Sequence, residues 1–214
     1  MSEKVNIVSR ENWNPKTELG RLVKSGEIST LEQLEQYGKP ILEAEIADVL
    51  LTELRAETLL IKSTQRTTDS GRKIQFRIVT VVGDSKGHVG IGVGKCDEIK
   101  PGIDYAVRDA KKHMISIKLA CGSWECKCHS PHSISKASRG KEGSTVVVLK
   151  PAPKGLGLAS NATIKKVLDI AGVKDVWSNT TGNTKNVYNT AMATIKALEN
   201  ITAVKPHPVR GEVA

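Results

Sequence analysis

His88-Val89-Gly90-Ile91-Gly92-Val93-Gly94-Lys95 is the stretch on which the fold turns. Val89, Ile91 and Val93 alternate with Gly90, Gly92 and Gly94, the period of two that marks a strand. One face of this strand is apolar and the other is bare backbone. Glycines on one face let a helix, a second strand or an RNA backbone approach closely. A nucleotide-binding reading fails on spacing. A phosphate loop of the Walker type needs Gly at position 89, which is Val, and Ser or Thr after Lys95, where Cys96 stands. The dinucleotide fingerprint needs its third Gly at position 95, which is Lys.

Working upstream, Gly83-Asp84-Ser85-Lys86-Gly87 reads as a hairpin loop, and Ile74 to Val82 as a half-buried strand. Asp69-Ser70-Gly71-Arg72-Lys73 reads as a turn and Leu59 to Arg66 as a further strand. Ile41 to Leu54 has helical spacing, with Glu43, Glu45 and Asp48 expected towards solvent. Ser29 with Glu32 matches a capping box ahead of a short helix, Thr30 to Tyr37. Downstream, Pro101 suits the first turn of a helix, whose apolar stripe is Ile103, Ala106, Val107, Ala110, Met114 and Ile117. Helix, three strands, helix is the order of a double-stranded-RNA-binding module, which holds RNA by shape and phosphates.

Residues 119–142 break the pattern. Cys, Gly, Ser, His and Lys dominate there. Cys121, Cys126, Cys128, His129 and His132 fall close together, enough for four tetrahedral zinc ligands. The preferred set is Cys121, Cys126, Cys128 and His132, against a reduced, unliganded loop; disulfides do not suit a cytosolic chain. Cys96 is expected to pack as a small apolar residue. Beyond the loop, Thr145 to Leu149 reads as a buried strand and Lys150 to Leu158 as a basic Pro/Gly-rich loop. A helix ends at Ala171, closed by Gly172. Val173 to Ser178 is a short strand, Val187 to Leu198 a last helix, and 203–214 a fraying tail.

The net charge is +9, unevenly spread: −4 over residues 1–54, +10 over 55–160 and +3 over 161–214. A basic middle suits a polyanion, because each phosphate neutralised releases counterions. Aromatics are few, namely Trp13, Tyr37, Phe76, Tyr105, Trp124, Trp177 and Tyr188. That scarcity favours contact to RNA backbone and shape over base stacking. No catalytic constellation stands out: His88 and His113 lack a paired nucleophile, and no GxSxG elbow is present. No apolar run approaches the ~20 residues of a membrane helix. Met1-Ser2-Glu3-Lys4-Val5 lacks a signal-peptide pattern, so the cytoplasm is the expected compartment.

Ser70 to Arg77, Val82 to Lys95, Val147 to Gly157 and Val167 to Trp177 together resemble the small-subunit ribosomal protein S-five family, over about residues 40–202. The N-terminal arm and Gly122 to Ser133 resemble its archaeal/eukaryotic branch. The resemblance implies an α+β protein. Residues 1–39 would be an extension and 40–120 a double-stranded-RNA-binding-like domain (α-β-β-β-α). A Cys/His-rich linker over 121–142, a C-terminal α/β sandwich over 143–202 and a tail over 203–214 would follow. It implies a non-enzymatic constituent of the small ribosomal subunit, near the decoding region and the channel by which messenger RNA enters. Subunit assembly, translational accuracy and messenger unwinding would be its tasks. Ribosomal RNA, messenger RNA and proteins of the S-four and S-eight families would be its neighbours. Residues expected to contact RNA are Lys62, Arg66, Arg72, Lys73, Arg77, Lys86, Lys111, Lys112, Arg139, Lys141, Lys150 and Lys154. Archaeal relatives carry cysteines where Cys121, Cys126 and Cys128 stand. Several have a further Cys in the later Gly-Lys-x-Gly motif, where Glu142 stands here; that departure counts against one structural zinc unless His132 takes over as the fourth ligand. The alternatives are a free double-stranded-RNA-binding regulator and a zinc- or nucleotide-dependent enzyme.

Overall fold

The computed structural model describes residues 3–4, 13–126, 128 and 130–202. His129 and the tail from 203 lie outside the described residues. The first sheet runs in chain order, with antiparallel neighbours throughout: β1 (Glu3–Lys4), β2 (Arg55–Thr68), β3 (Gly71–Gly83), β4 (His88–Cys96) and β5 (Met114–Ser116). The helices before it are α1 (Glu18–Ser25), α2 (Leu31–Gln36) and α3 (Glu45–Leu50), and α4 (Ile99–Lys112) joins β4 to β5.

The glycine face of β4 lies under α4. A Cβ on Gly90 would sit 2.3 Å from the Ala110 carbonyl oxygen, one on Gly92 2.2 Å from that of Ala106, and one on Gly94 2.3 Å from that of Gly102. Helix backbone therefore rests directly on strand backbone, and no space for a phosphate remains. Cross-strand partners of these glycines on β3 are Val82, Thr80 and Ile78, which complete this face. Val82, Ala110 and Met114 join Ala47, Leu51, Leu54 and Ala56 in one core.

The other face of the same strands carries Val79, Val81, Val89 and Ile91, and it is covered by the second half of the chain. Helices α5 (Ala162–Ala171) and α6 (Val187–Thr202) bring Ile164, Val167, Leu168, Ala191, Ile195 and Leu198 into the same core. A second sheet lies beyond them, in the order β10 (Leu158–Ala159), β11 (Val176–Thr181), β9 (Thr145–Pro151) and β8 (Ser138–Glu142). Only the β10–β11 pair is parallel. The glycine device recurs there: a Cβ on Gly140 of β8 would meet the Ala193 carbonyl and the Ala197 nitrogen of α6 at 2.0 and 2.4 Å. A short hairpin, β6 (Leu119–Ala120) with β7 (Ser133–Ile134), spans the Cys-rich loop. The β3–β4 turn docks the two halves together. Asp84 Oδ1 accepts the N–H groups of Lys86 and His88, while the Ser85 N–H donates to the Ile170 carbonyl at the end of α5.

Several expectations shift. The helix expected over Ile41–Leu54 is only α3, because Glu43 turns back to accept the N–H groups of Lys16 and Thr17. The capping box sits one residue later: the Gln33 N–H donates to Thr30 Oγ1, and Gln33 Oε1 accepts from the Ser29 N–H. The arm before residue 40 builds its own core from Trp13, Leu19, Val23, Ile28, Leu34 and Ile46. Met114 and Ile117 leave the helix: the chain turns at His113, and Met114–Ser116 pairs with β4 instead. The irregular segment expected to reach residue 142 ends sooner, since β8 begins at Ser138. The strand expected at Val173–Ser178 runs from Val176 to Thr181. Gly172 closes α5 in the left-handed region, at φ 87°, as expected.

Gly92→Ala should lower the unfolding free energy by at least ~2 kcal/mol, because its methyl has only helix backbone to displace. Urea titration followed by circular dichroism measures this; an unchanged midpoint would mean that α4 can lift off the sheet freely.

Candidate nucleic-acid interface and metal centre

β2 and β3 run on past the end of β4. Pairing of β3 with β4 begins at Phe76 and Cys96, whereas β2 and β3 stay paired out to Thr68 and Gly71. A two-stranded finger results, tipped by Asp69 and Ser70. Its cross-strand partners include Lys62 with Arg77 and Arg66 with Lys73. Lys95 of β4 stands opposite Arg77. Lys62, Arg77 and Lys95 thus form a row of like charges across three strands, with Arg66 and Lys73 two pairs further out on the same face. Like charges directly opposite one another destabilise a sheet. No carboxylate relieves them: none of these five forms an ion pair among the described residues. Arg77 is held in place, its guanidinium 5.2 Å over the Tyr188 ring of α6 and its Nε buried without a hydrogen-bond partner. Arg72 is exposed on the opposite face of the finger.

Lys95 was expected only as a failed phosphate-loop lysine. The signal that places it was the alternation itself: Val89, Ile91, Val93 and Lys95 share one face.

The remaining expected contacts are scattered. Lys86 is exposed and pairs with Glu53 at 3.3 Å. Lys112 is exposed at the end of α4. Arg139 and Lys141 on β8, Lys150 on β9 and Lys154 in the following loop are exposed in the second half. Lys111 is a correction. It is 5 % exposed, and its Nζ lies 2.6 and 2.8 Å from the two carboxylate oxygens of Asp48, itself 4 % exposed. Burial pushes the Asp48 carboxyl up from its ordinary value, against the pull of the Lys111 ammonium. This buried pair locks α3 to α4, so Lys111 cannot reach RNA and Asp48 does not face solvent.

Cys121, Cys126, Cys128 and His132 converge, with ligand atoms all within 4.8 Å of one another. Cys126 Sγ lies 3.0 Å from Cys128 Sγ and 3.7 Å from His132 Nε2; Cys121 and Cys128 sulfurs are 3.6 Å apart. Tetrahedral zinc, with bonds of about 2.0–2.3 Å, sets ligand atoms roughly 3.5–3.8 Å apart; the 3.6 and 3.7 Å separations match this, and the 3.0 Å Cys126–Cys128 separation is shorter. Hydrogen bonds from Cys126 and Ser130 bring the Cys128 thiol down to about 5, while burial and the neighbouring thiols push Cys121 up to about 11. One thiolate is favoured; a cation would stabilise the others. His132 is fixed from behind: its Nδ1 lies 2.7 Å from Asp175 Oδ2, which leaves Nε2 facing the sulfurs. Asp175 Oδ1 accepts the N–H groups of Gly155 and Gly157, tying the centre to the basic loop that carries Lys154. Glu142 takes no part; it pairs with Lys196 at 2.5 Å.

His88 Nδ1 lies 2.6 Å from Asp84, a turn brace, and His113 Nδ1 2.9 Å from the Asp109 carbonyl. Across the ladder His88 stands opposite Ser116. No helix among the described residues is long and apolar enough to cross a membrane.

Residues 54–118 match the family description "Ribosomal protein S5, N-terminal domain", and residues 140–209 match "Ribosomal protein S5, C-terminal domain". The chain is 47 % identical to small ribosomal subunit protein uS5 of Methanocaldococcus jannaschii, over 89 % of this chain and 88 % of that one. It is 47 % identical to the same-named protein of Methanococcoides burtonii, over 91 % and 92 %. For that of Pyrobaculum islandicum the figure is 45 %, over 92 % and 97 %.

Asp48→Ala strands a buried ammonium and should cost about 3–5 kcal/mol of stability in a urea titration, whereas Lys111→Asn should weaken folding without altering the salt dependence of RNA binding. A flatter salt dependence for the Lys111 variant would restore that residue as a phosphate contact.

Proposed function

The chain belongs to the ribosomal protein S5 family and is a structural, non-enzymatic protein of the small ribosomal subunit; from that premise we propose that its finger and the cation row at the finger's base are its main hold on ribosomal RNA. The observation that carries this reading is the row itself. Five cations face one another across strands without a counter-charge among the described residues, and phosphates are the anions that would relieve them. The order α3, β2–β3–β4, α4 supports reading the first half as a double-stranded-RNA-binding-like domain, which grips a duplex by backbone and shape. The RNA contacts are then Lys62, Arg66, Arg72, Lys73 and Lys95 from the finger and its base, with Arg77 as the pinned member. Lys86, Lys112, Arg139, Lys141, Lys150 and Lys154 serve as outlying contacts. Messenger RNA near its channel and proteins of the S-four and S-eight families complete the proposed neighbourhood. The boundary between the two halves falls in the Cys-rich loop.

The fit of the four ligands supports one structural zinc held by Cys121, Cys126, Cys128 and His132. Bound there, zinc would cross-link a loop that has little core of its own. Asp175 orients the histidine, as carboxylates behind zinc-bound imidazoles do.

Arg66→Ala with Lys73→Ala should lower RNA affinity and reduce the slope of log affinity against log salt by roughly 1.5–2, the loss of two phosphate contacts; filter binding across a salt series measures it, and an unchanged slope removes the finger from the interface. The purified chain should carry one equivalent of zinc by elemental analysis, and Asp175→Asn should weaken zinc binding about 10–100-fold in a chelator competition. Metal-free protein that refuses added zinc would leave the cluster a reduced loop.

A further inference from the structure

The outer face of the second sheet carries Arg139, Lys141 and Lys150, read above only as outlying contacts. Along β11, Val176 points into the core, while Trp177, Asn179 and Thr181 point out and are exposed. Trp177 is 47 % exposed, although burying an indole is among the larger gains a fold can make. Its partner across the ladder is Lys150. The next row places Asn179 beside Val148, and Val148 beside Arg139; the row after that places Lys141 beside Val146. The two valines are half-buried and form an apolar floor. Lys150, Arg139 and Lys141 have no ion pair among the described residues. Glu142, the carboxylate on this sheet edge, is engaged by Lys196 of α6.

We propose that this face binds a single-stranded segment of RNA, with an unpaired base stacked on Trp177 and the adjoining phosphates lying along Lys150 and Arg139. The proposal rests on the RNA-binding reading above and adds a second mode of recognition to it. The finger is suited to a duplex, since it offers cations and no exposed aromatic ring. The sheet face offers a ring in its end row with cations on one flank, and sheet surfaces hold unstacked bases on such rings. Asn179 supplies an amide donor and acceptor within the same surface. A protein partner of ordinary composition would have to bring carboxylates to match three unpaired cations; an RNA strand brings phosphates by construction. The scarcity of aromatics in the chain argued against stacking as the general mode. One ring in the right place suffices for one base.

Two measurements test this. In the first, the full-length chain binds a short oligouridine and, separately, an RNA duplex of the same length. Trp177→Leu should weaken oligouridine binding about tenfold, within the range expected for loss of one stacked base. Trp177→Phe should keep most of the affinity, and neither change should alter duplex binding. Because position 177 is at the surface, unchanged circular dichroism checks that the variants fold. Equal affinity of the Leu variant and the parent chain for oligouridine would overturn the proposal, as would an equal loss on strand and duplex. In the second, a photo-crosslinking phenylalanine analogue at position 177 is incorporated into small subunits. Crosslinks to RNA support the proposal; crosslinks to a protein overturn it and give the face to that protein. Failure of the chain to enter subunits at all would instead count against the ribosomal role, while the oligouridine result would stand on its own.

Discussion

The contact between α4 and the glycine face of β4 governs the rest of the structure. Three alternate positions without side chains let helix backbone sit on strand backbone, so the apolar side chains of β4, Val89 and Ile91, are left for the other face together with Val79 and Val81 of β3. Those residues must be covered, and α5 and α6 cover them. Half of the core therefore belongs to both halves of the chain. Each fully buried Val or Ile in it contributes about 1.5–3 kcal/mol, which makes separation of the halves costly. The same device at Gly140 brings α6 down onto the second sheet.

With both faces of the sheet committed to packing, charge is confined to what protrudes. The finger extends past β4, and there the cations gather. Arg77 marks the transition: part of it is held in the core side by Tyr188, and its neighbours Lys62 and Lys95 look outward. By contrast Lys111, the penultimate residue of α4, is drawn inward by Asp48. The Cys/His centre acts at the seam between the halves. Asp175 holds His132 with one oxygen and the Gly155–Gly157 loop with the other, so the order of that basic loop depends on the order of the centre.

Much of this was legible in the sequence. The period-two patterns of β3 and β4, the glycine face, the Gly172 cap and the four-residue Cys/His set are local signals, and each survives in the structure. The resemblance to the S-five family, carried by the two glycine-bearing motifs, agrees with the matches to both family domains. What was not legible is what depends on partners distant in sequence. Asp48 reads as a solvent-facing helix residue until α4 brings Lys111 beside it. Met114 and Ile117 continue a helical stripe in sequence, but the free edge of β4 recruits Met114–Ser116 as a strand. The arm before residue 40 looks weakly patterned because its core closes only on Ile46 of α3. Trp177 is an unremarked aromatic until the register of β9 and β8 sets Lys150 beside it and Arg139 in the next row.

The ribosomal role is tested most directly by locating the native chain in a sucrose gradient of cell lysate at moderate salt. The account predicts near-stoichiometric migration with the small subunit, released only at salt high enough to strip basic proteins from RNA. Recovery in the light fractions, free of the subunit at moderate salt, would contradict it.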